Sequence, residues 1–323
     1  MFPADNVWNA RVDTLPVHLR SSAWVNSIGA NSHVHADFGS GTWNGGPIGI
    51  PYVIVSGSQA PVTVTFRWAD ESDAGPYRVP PSAPIEWGGD HHVLVVDQDN
   101  CTLAELYAAT KLSDTAWHAD SGAIFDLRSN ALRPATWTSA DAAGLPILPG
   151  LARYDEVSAG EIQHALRFTA PATQSSFIWP ARHEASDDAN PNLPPMGARF
   201  RLKSHVNPSA YPAQARVILT ALQRYGMILA DNGSSWYISG APDEGWNNDW
   251  LHAMDPLKGS DFEAVDASVL MVNANTGQAQ APTIVARPPS RGGPGGGTPT
   301  GGMPGARVSV GAGGVPQARP PGR

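Results

Sequence analysis

The chain has 323 residues, of which 21 are Lys or Arg and 29 are Asp or Glu, and its single cysteine excludes an intramolecular disulfide framework. The last 50 residues contain five arginines and no acidic residue, so the remaining body has 16 basic and 29 acidic residues and a net charge of −13. An acidic body argues against nucleic acid as the main partner, because phosphate binding needs clustered Lys and Arg.

The C-terminal segment differs in composition from the rest of the chain. Residues 274–323 contain 13 glycines, 9 prolines and no aromatic residue. Such a segment buries too little apolar surface to offset the entropy lost on ordering, so we predict a disordered tail. Residues 1–273 then form one globular domain with a sizeable core. The sequence has no apolar run of the roughly 18–20 residues that a membrane span needs.

The domain has the composition of an exported protein. It contains 11 tryptophans, few lysines, and many glycine, proline, threonine and serine residues. No signal peptide is visible at the first three residues. We therefore expect that Met1 is a start methionine that precedes the mature sequence of a secreted protein.

Strands dominate the predicted secondary structure. Residues 62–68 alternate apolar and polar side chains, which is the period of a half-buried strand, and Asn232-Gly233 is a strong hairpin signal. In chain order we predict a helix at 21–28, strands at 51–55, 62–68, 92–97, 102–107, 121–129, 161–170, 176–181 and 198–203, a helix at 212–225, strands at 227–231 and 234–240, and a short helix at 249–254. Because strands outnumber helices and mostly do not alternate with them, we predict a mainly β single domain, of the β-sandwich or jelly-roll type, with a few peripheral helices.

One connector, residues 131–157, is unusually apolar for a loop, since loops normally cover the surface and are polar. It holds three prolines and two glycines. Proline fixes the backbone angle φ, and glycine permits sharp bends, so we predict a rigid buried crossover between two strands. Its titratable groups include Arg133 and Asp141, and Ser139 is predicted to cap a turn of helix at 141–143. We expect the connector to position functional groups on neighbouring elements.

The richest group of carboxylates follows the strand at 62–68. It consists of Asp70, Glu71 and Asp73. Acid–base cleavage of a glycosidic bond needs two carboxylates, about 5–5.5 Å apart for retention or about 6.5–9.5 Å apart for inversion. Strand alternation places Asp70 and Glu71 on opposite faces, so a pair joins Asp70 to Asp73 or Glu71 to a distant carboxylate. The distant candidates are Glu86, Asp126, Asp155, Glu156 and Asp231. A solvated acidic turn that caps backbone N–H groups is the alternative interpretation.

Arg182 and His183 form the second candidate group, after a strand that Pro180 ends. An arginine can neutralise a carboxylate, and a histidine can act as acid or base near neutral pH. The pair suits a polyuronate lyase as well as a hydrolase. A surface Arg–Glu pair beside an ordinary histidine is the alternative. A shared site requires Glu71, Asp73 and His183 to lie within about 10 Å of one another.

Several aromatic residues lie beside glycine, polar or turn residues. There an aromatic ring offers a flat apolar face on which a sugar can stack. We predict that Tyr77, Trp87, Trp179 and Trp236 bind substrate. The alternative is that many of these residues belong to the core.

A metal site is the weaker of the site predictions. His33 and His35 have a spacing that puts both on one face of a strand with Asp37, and His92 can complete the set. The segment HVHAD is similar to the HxHxDH motif of metallo-β-lactamases, but Phe38 stands where the closing histidine would be. We therefore predict no cofactor, with His33, His35 and His92 as the alternative metal ligands.

Several sequence segments of the domain resemble those of one protein family. FPADNVWN, ADESDAGPY, WTSADAAGLPILPGLARYDEV, WPARH and PPMGARFRLK are similar to an uncharacterised family of secreted bacterial proteins. The resemblance covers nearly all of residues 2–272 and implies no activity and no catalytic residue.

The functional prediction therefore comes from the residues themselves. We predict a secreted carbohydrate-active enzyme, a glycoside hydrolase or a polysaccharide lyase, that acts on a polysaccharide or other glycan with carboxylate, His and Arg groups at strand ends. The alternative is a non-catalytic carbohydrate- or cell-surface-binding domain on a flexible tail. Such a domain would present exposed tryptophans without a perturbed carboxylate nearby.

Overall fold

The computed structural model describes residues 1–281, which belong to one compact unit. The α-helices in this range are α1 (Ser21–Ile28), α2 (Tyr154–Ala159), α3 (Ala213–Arg224) and α4 (Asn248–His252). The strands are β1 (His35–Asp37), β2 (Thr42–Trp43), β3 (Gly46–Pro47), β4 (Tyr52–Val55), β5 (Thr63–Phe66), β6 (Val93–Asp97), β7 (Thr102–Tyr107), β8 (Thr110–Ser113), β9 (Ala116–Ala119), β10 (Ser121–Asp126), β11 (Leu166–Ala170), β12 (Arg199–Leu202), β13 (Met227–Asn232), β14 (Tyr237–Ser239) and β15 (Phe262–Val265). The predicted mainly β class with peripheral helices is confirmed. Within residues 1–281, every helix is too short or too polar to cross a membrane.

The strands form several sheets. The largest has six strands in the order β1-β14-β11-β13-β12-β15, with β1 parallel to β14 and β11 parallel to β13. A four-stranded sheet has the order β10-β7-β6-β4, a three-stranded sheet has the order β5-β9-β8, and β2 pairs with β3. Helix α1 packs near β15 and α3 near β12, so both helices flank the six-stranded sheet.

The core of the six-stranded sheet is rich in aromatic side chains. Trp236 stacks between Phe168 and Phe262, with ring centroids 5.6 and 5.4 Å away. Helix α3 adds Ile218 and Leu222, fully buried at i, i+4 spacing. Burying such a side chain contributes about 1.5–3 kcal/mol, so these packed side chains stabilise the six-stranded sheet and its helices.

The connector at 131–157 is buried, as its composition predicts. It joins β10 of the four-stranded sheet to β11 of the six-stranded sheet, and Leu145, Ile147 and Leu148 are fully buried. A buried loop must satisfy its backbone polar groups. The N–H groups of Ile147 and Leu148 do so by donating to the carboxylate of Glu105, at 2.9 Å each. Residues 141–143 form a turn instead of the predicted turn of helix, and Ser139 Oγ accepts from the Asp141 N–H at 2.9 Å.

Glu105 makes this buried contact sensitive to pH. Burial outweighs the two N–H bonds and raises the pKa of Glu105 from its ordinary 4.5 to about 7. Between these values the folded chain holds the proton more tightly than the unfolded chain, so the stability that Glu105 contributes falls as the pH rises from about 4.5 to about 7.

Replacing Glu105 with Gln is expected to remove this pH dependence. The free energy of unfolding of the wild type, relative to E105Q, should fall by on the order of 3 kcal/mol between acidic and mildly alkaline pH. Urea unfolding of the wild type and of E105Q, at acidic and at mildly alkaline pH, measures this change in the free energy of unfolding. Glu161→Gln, a substitution of an exposed carboxylate, is the control. An equal difference at both pH values would show that Glu105 titrates normally.

Two further predictions about the fold were wrong. Strands β13 and β14 do not form a hairpin across Asn232-Gly233, because β11 lies between them in the sheet. Residues 176–181 are not a strand; Phe177 alone makes a bridge, to Met196. Beyond residue 273, the backbone of Gly277 still bonds to Val7 and Asn130. The predicted disorder of residues 282–323 lies outside the described residues.

Candidate active site

A short part of the connector contacts four titratable side chains from different parts of the chain. We call residues 138–142 the anchor segment. Four of its five residues each contact a different candidate group. The contacts are Thr138 N to Glu71 Oε2 at 3.1 Å, His92 Nε2 to Ala140 O at 3.0 Å, Arg167 to Asp141 at 2.7 and 2.8 Å, and His183 Nδ1 to Ala142 O at 2.8 Å. The anchor segment therefore fixes groups from both large sheets around one region.

Arg167 is the buried cation of this region. Its guanidinium donates to both oxygens of the fully buried Asp141, to Ser239 Oγ at 2.6 Å, and to Asp231 Oδ2 at 3.1 Å. Burial alone would lower the pKa of Arg167, but the charges and hydrogen bonds of Asp141, followed by the charge of Asp231, raise it instead. The guanidinium is thus a permanent charge held by Asp141 and Asp231.

Asp231 lies in β13, beyond a bulge in the pairing with β11. Protein atoms crowd its carboxyl group, yet 23% of the side chain remains exposed, so solvent can reach it. Burial and then the charge of Asp141 raise the pKa of Asp231 from 3.8 to about 7, although Arg167 and His92 act in the opposite direction. A carboxyl group that is protonated near neutral pH and reachable from solvent can act as a general acid.

Glu86, Asp90 and His92 form a compact group beside β6. Their ligand atoms all lie within 4.8 Å of one another. Glu86 Oε2 contacts His92 Nδ1 at 2.5 Å, and His92 Nε2 must donate to Ala140 O, because a carbonyl oxygen only accepts. Burial alone would lower the pKa of His92, but Glu86 raises it to about 9. Burial would conversely raise the pKa of Glu86, and His92 holds it below its ordinary value. The two residues are therefore a buried ion pair at neutral pH.

Asp37 completes the group at the end of β1. It is the register partner of Ser239, the same residue that accepts from Arg167, and it is exposed. Its surroundings raise the pKa of Asp37, mainly by desolvation, with smaller contributions from Glu86 and Asp90 that raise it and from His35 and Arg167 that lower it. Asp37, Glu86, Asp90, His92, Arg167 and Asp231 thus lie within electrostatic range of one another. We call these six residues the acidic cleft.

Glu71 and His183 are brought together on the edge of the same region. Glu71 Oε2 lies 4.0 Å from His183 Nε2, and both side chains are about one-third exposed. Because His183 Nδ1 donates to Ala142 O, its Nε2 is the nitrogen directed at Glu71. This pair is a second candidate for acid–base chemistry.

The structure uses Asp73 and Arg182 in the scaffold, contrary to the predicted catalytic roles. Asp73 Oδ2 accepts from the Ile124 N–H at 2.8 Å and from Arg133 at 2.5 Å. The buried guanidinium of Arg182 donates to the carbonyl oxygens of Arg133 and Ala274 at 2.7 and 2.6 Å and to Asn275 Oδ1 at 3.0 Å. Asp73 therefore supports the backbone of β10 and pairs with Arg133, although one-third of its side chain stays exposed, and three scaffold oxygens occupy the guanidinium of Arg182.

Asp70 also differs from its predicted catalytic role. It is exposed on the 3-10 turn Ala69–Glu71, where it corresponds to the alternative of a solvated acidic turn.

The predicted substrate-binding aromatic residues divide into buried and exposed ones. Tyr77 and Trp236 are fully buried, and their polar atoms donate to the carbonyl oxygens of Asp73 and Gly29. They are core residues, so that prediction was wrong. Trp179 is half-buried, with its indole N–H bonded to Thr276 O at 2.8 Å.

Trp87 is 55% exposed and lies against the β2–β3 hairpin. A Cβ at Gly46 would come within 2.0 Å of the Trp87 ring, so this glycine lets the ring lie on the hairpin. Trp43 in β2 is 71% exposed. Trp68 is 39% exposed and stacks at 6.4 Å on Tyr107, whose ring lies 5.6 Å from His92. Exposed aromatic faces therefore border the acidic cleft.

The alternative set of metal ligands is not assembled. His33 Nδ1 bonds to Asp255 O at 2.6 Å, and the His35 ring lies 4.4 Å from that of Tyr237. In residues 1–281, Glu86, Asp90 and His92 are the one group of three such side chains close enough to share an ion, and both nitrogens of His92 are already bonded. The three histidines are therefore separate features.

Two surface cavities have other linings. One, of about 460 Å³, is lined by residues that include Asp73, Arg78 and Asp97, and Arg78 pairs there with Asp97 at 3.4 Å. The other, of about 660 Å³, is an open groove that includes His33 and Tyr237. We place the site in the acidic cleft because carboxyl groups with a raised pKa converge there.

Some side chains of the acidic cleft could be predicted from the sequence, and others could not. Glu86 and Asp231 appeared among five possible distant carboxylates, and Asp37 appeared beside the histidines. Arg167 was missed, although an arginine inside the otherwise apolar strand LRFTA was a usable signal, since a buried arginine needs a partner.

No family model, no curated protein and no solved structure matches the chain. The resemblance to secreted bacterial proteins stays a prediction, and the function is argued from the geometry of the acidic cleft.

Proposed function

We propose that this chain is a secreted glycan-cleaving enzyme of the hydrolase type, with its reaction centre in the acidic cleft. The feature that carries the proposal is Asp231, a carboxyl group that is 23% exposed, accepts from Arg167 and has its pKa raised to about 7 by burial and by the charge of Asp141. Hydrolysis of a glycosidic bond needs one carboxyl group that donates a proton and a second, ionised carboxylate.

The neighbours of Asp231 supply the second carboxylate. Asp90 is exposed, belongs to the same cleft, and its charge helps to raise the pKa of Asp231. Asp231 donates its proton to the glycosidic oxygen as the bond to the anomeric carbon breaks. Asp90 either takes a proton from the attacking water or attacks the anomeric carbon first. Arg167 holds Oδ2 of Asp231 and so fixes the direction of the acid.

A hydrolase fits the cleft better than a polyuronate lyase. A lyase must neutralise the carboxylate of its substrate with a cation that the substrate can reach. The guanidinium of Arg182 is engaged with backbone carbonyls, and that of Arg167 is engaged with Asp141. The exposed charged groups of the acidic cleft, Asp37 and Asp90, are carboxylates.

A non-catalytic glycan-binding domain is the second candidate function. It is favoured by the exposed rings of Trp43, Trp68 and Trp87. The raised pKa of Asp37 and of Asp231 favours the enzyme, because a binding surface has no use for perturbed carboxyl groups.

A panel of polysaccharides, assayed for new reducing ends and for unsaturated products, tests the proposal. Reducing ends without unsaturated products are expected. Unsaturated products would identify a lyase, and binding without cleavage would identify a binding domain. If H183A abolishes cleavage and D231N does not, the reaction centre is the Glu71–His183 pair instead.

Trp87 gives a prediction about substrate affinity. W87A is expected to weaken binding of the cleaved glycan by about 3- to 10-fold, because a sugar ring loses one stacking face. Leu112→Ala removes an equally exposed apolar side chain from β8 and is the matched control. Isothermal titration with oligosaccharides measures the effect. Equal affinity in W87A and the wild type would exclude Trp87 from the binding site.

A further inference from the structure

The cavity of about 460 Å³ lies on the face of the four-stranded sheet that is turned away from the connector. Glu105 of β7 bonds to the connector, so strand alternation puts its neighbour Ala104 on the opposite face. The register aligns Ala104 with Val95 of β6 and Ile124 of β10, and these three side chains form an apolar floor. The volume is typical of a small-molecule site, and the lining shares no residue with the acidic cleft.

The segment 73–78 forms the wall of this cavity and is tied to the sheet near both ends. Asp73 Oδ2 accepts from the N–H of Ile124 in β10 at 2.8 Å. Arg78 Nε lies 3.4 Å from Oδ2 of Asp97 in β6, a side chain that is only 5% exposed. The wall is therefore held in place before any ligand enters.

Each charged group of the cavity has a partner of opposite charge in the scaffold. Asp73 pairs with the buried Arg133 at 2.5 Å, and Asp97 pairs with Arg78. A ligand with a net charge would thus lack a counter-ion there. Two polar atoms stay free, because within residues 1–281 Asp73 Oδ1 accepts no hydrogen bond and Arg78 Nη2 donates none. A negative acceptor and a positive donor therefore belong to side chains that line the same cavity.

We propose that this cavity binds a small aliphatic zwitterion, either a free amino acid or a dipeptide. Its ammonium group donates to Asp73, its carboxylate accepts from Arg78, and its aliphatic side chain covers the apolar floor. β7 lies between β10 and β6, so the strands that anchor the two charged side chains are about 10 Å apart. Hydrogen bonds of about 2.8 Å at each end leave on the order of 4 Å between the two charges of the ligand.

A neutral sugar is the competing ligand class. The described lining of the cavity offers no aromatic face on which a sugar ring could stack. The paired charges and the aliphatic floor therefore favour the zwitterion.

Calorimetric titration of the full chain tests the proposal with five probes: leucine, leucylglycine, leucinamide, isocaproate and glucose. Leucinamide lacks the carboxylate and isocaproate lacks the ammonium group, so each loses one charge-assisted hydrogen bond. One of the two zwitterions is expected to bind at least about 10-fold more tightly than either singly charged analogue. Equal affinity for a singly charged analogue, tighter binding of glucose, or no binding of either zwitterion overturns the proposal.

Two variants locate the binding in this cavity. Arg78→Gln removes the guanidinium, and Ala104→Val fills part of the floor without changing a charge. Arg128→Gln is the matched control, because Arg128 pairs with Asp126 at 3.1 Å on the surface, outside the cavity. The affinity for the zwitterion should fall at least about 10-fold in R78Q and in A104V and persist in R128Q.

Circular dichroism checks the fold of each variant, and A104V decides the question if R78Q does not fold. An affinity that is unchanged in folded R78Q or in folded A104V contradicts the assignment of this cavity.

Discussion

Replacing Asp231 with Asn is expected to lower kcat for glycan cleavage by about 10²- to 10⁴-fold, which is the usual contribution of a general acid. The amide keeps an oxygen that can accept the hydrogen bond from Arg167, so the fold should be preserved. The variant cannot donate the carboxyl proton, and substrate binding should change little. Steady-state kinetics on the cleaved glycan, with circular dichroism as the folding check, measures the loss.

The pH dependence of the wild type follows from the same group. Burial, followed by the charges of Asp141 and Asp90, raises the pKa of Asp231 to about 7, while Arg167 and His92 act in the opposite direction. A general acid works only while it is protonated, so kcat/KM should fall as the pH rises through about 7. Asp114→Asn should leave this alkaline limb in place. An unchanged kcat in D231N, with a normal alkaline limb, would remove Asp231 from the reaction.

Removing Asp141 is expected to destabilise the domain by about 3–5 kcal/mol, because Arg167 would lose its bidentate partner while it stays buried. The substitution Asp141→Ala leaves Arg167 with Asp231 as its single acidic partner. Urea unfolding at neutral pH measures the change in the free energy of unfolding.

A surface ion pair provides the comparison for D141A. Arg224 and Glu161 lie 3.0 Å apart, and both side chains are 44% exposed. Glu161→Ala should therefore cost no more than about 1 kcal/mol. If D141A and E161A cost the same, the Arg167–Asp141 pair does not hold the acidic cleft together.

The fold class and the buried connector could be predicted because their signals are local. Alternation at 62–68 identifies a strand, and the prolines and glycines of GLPILPGL identify a rigid, apolar crossover. The hairpin prediction at Asn232-Gly233 was wrong because a turn signal predicts only that the chain bends there. It does not predict that the two flanking strands pair with each other. The position of β14 depends on β11, which is distant in the sequence and inserts between β13 and β14.

The acidic cleft could be predicted only as a set of unpaired candidates. The sequence offered Asp231 and Glu86 only as two of five possible distant carboxylates. Their position near each other depends on Arg167 and on the anchor segment, which are distant in the sequence. Arg182 shows the opposite error. An arginine suits catalysis, but the guanidinium of Arg182 donates to three oxygens of the scaffold. These oxygens belong to residues that are distant in the sequence, so the spacing of residues around Arg182 does not predict the contacts.

The central claim is that the acidic cleft holds Asp231 protonated near neutral pH, and it can be tested without a substrate. Carboxyl carbons of aspartate are labelled with ¹³C, and D231N identifies the signal of Asp231 in an NMR titration. The structure predicts a midpoint at about pH 7. A midpoint near the ordinary value of 3.8 would contradict the assignment of Asp231 as the general acid.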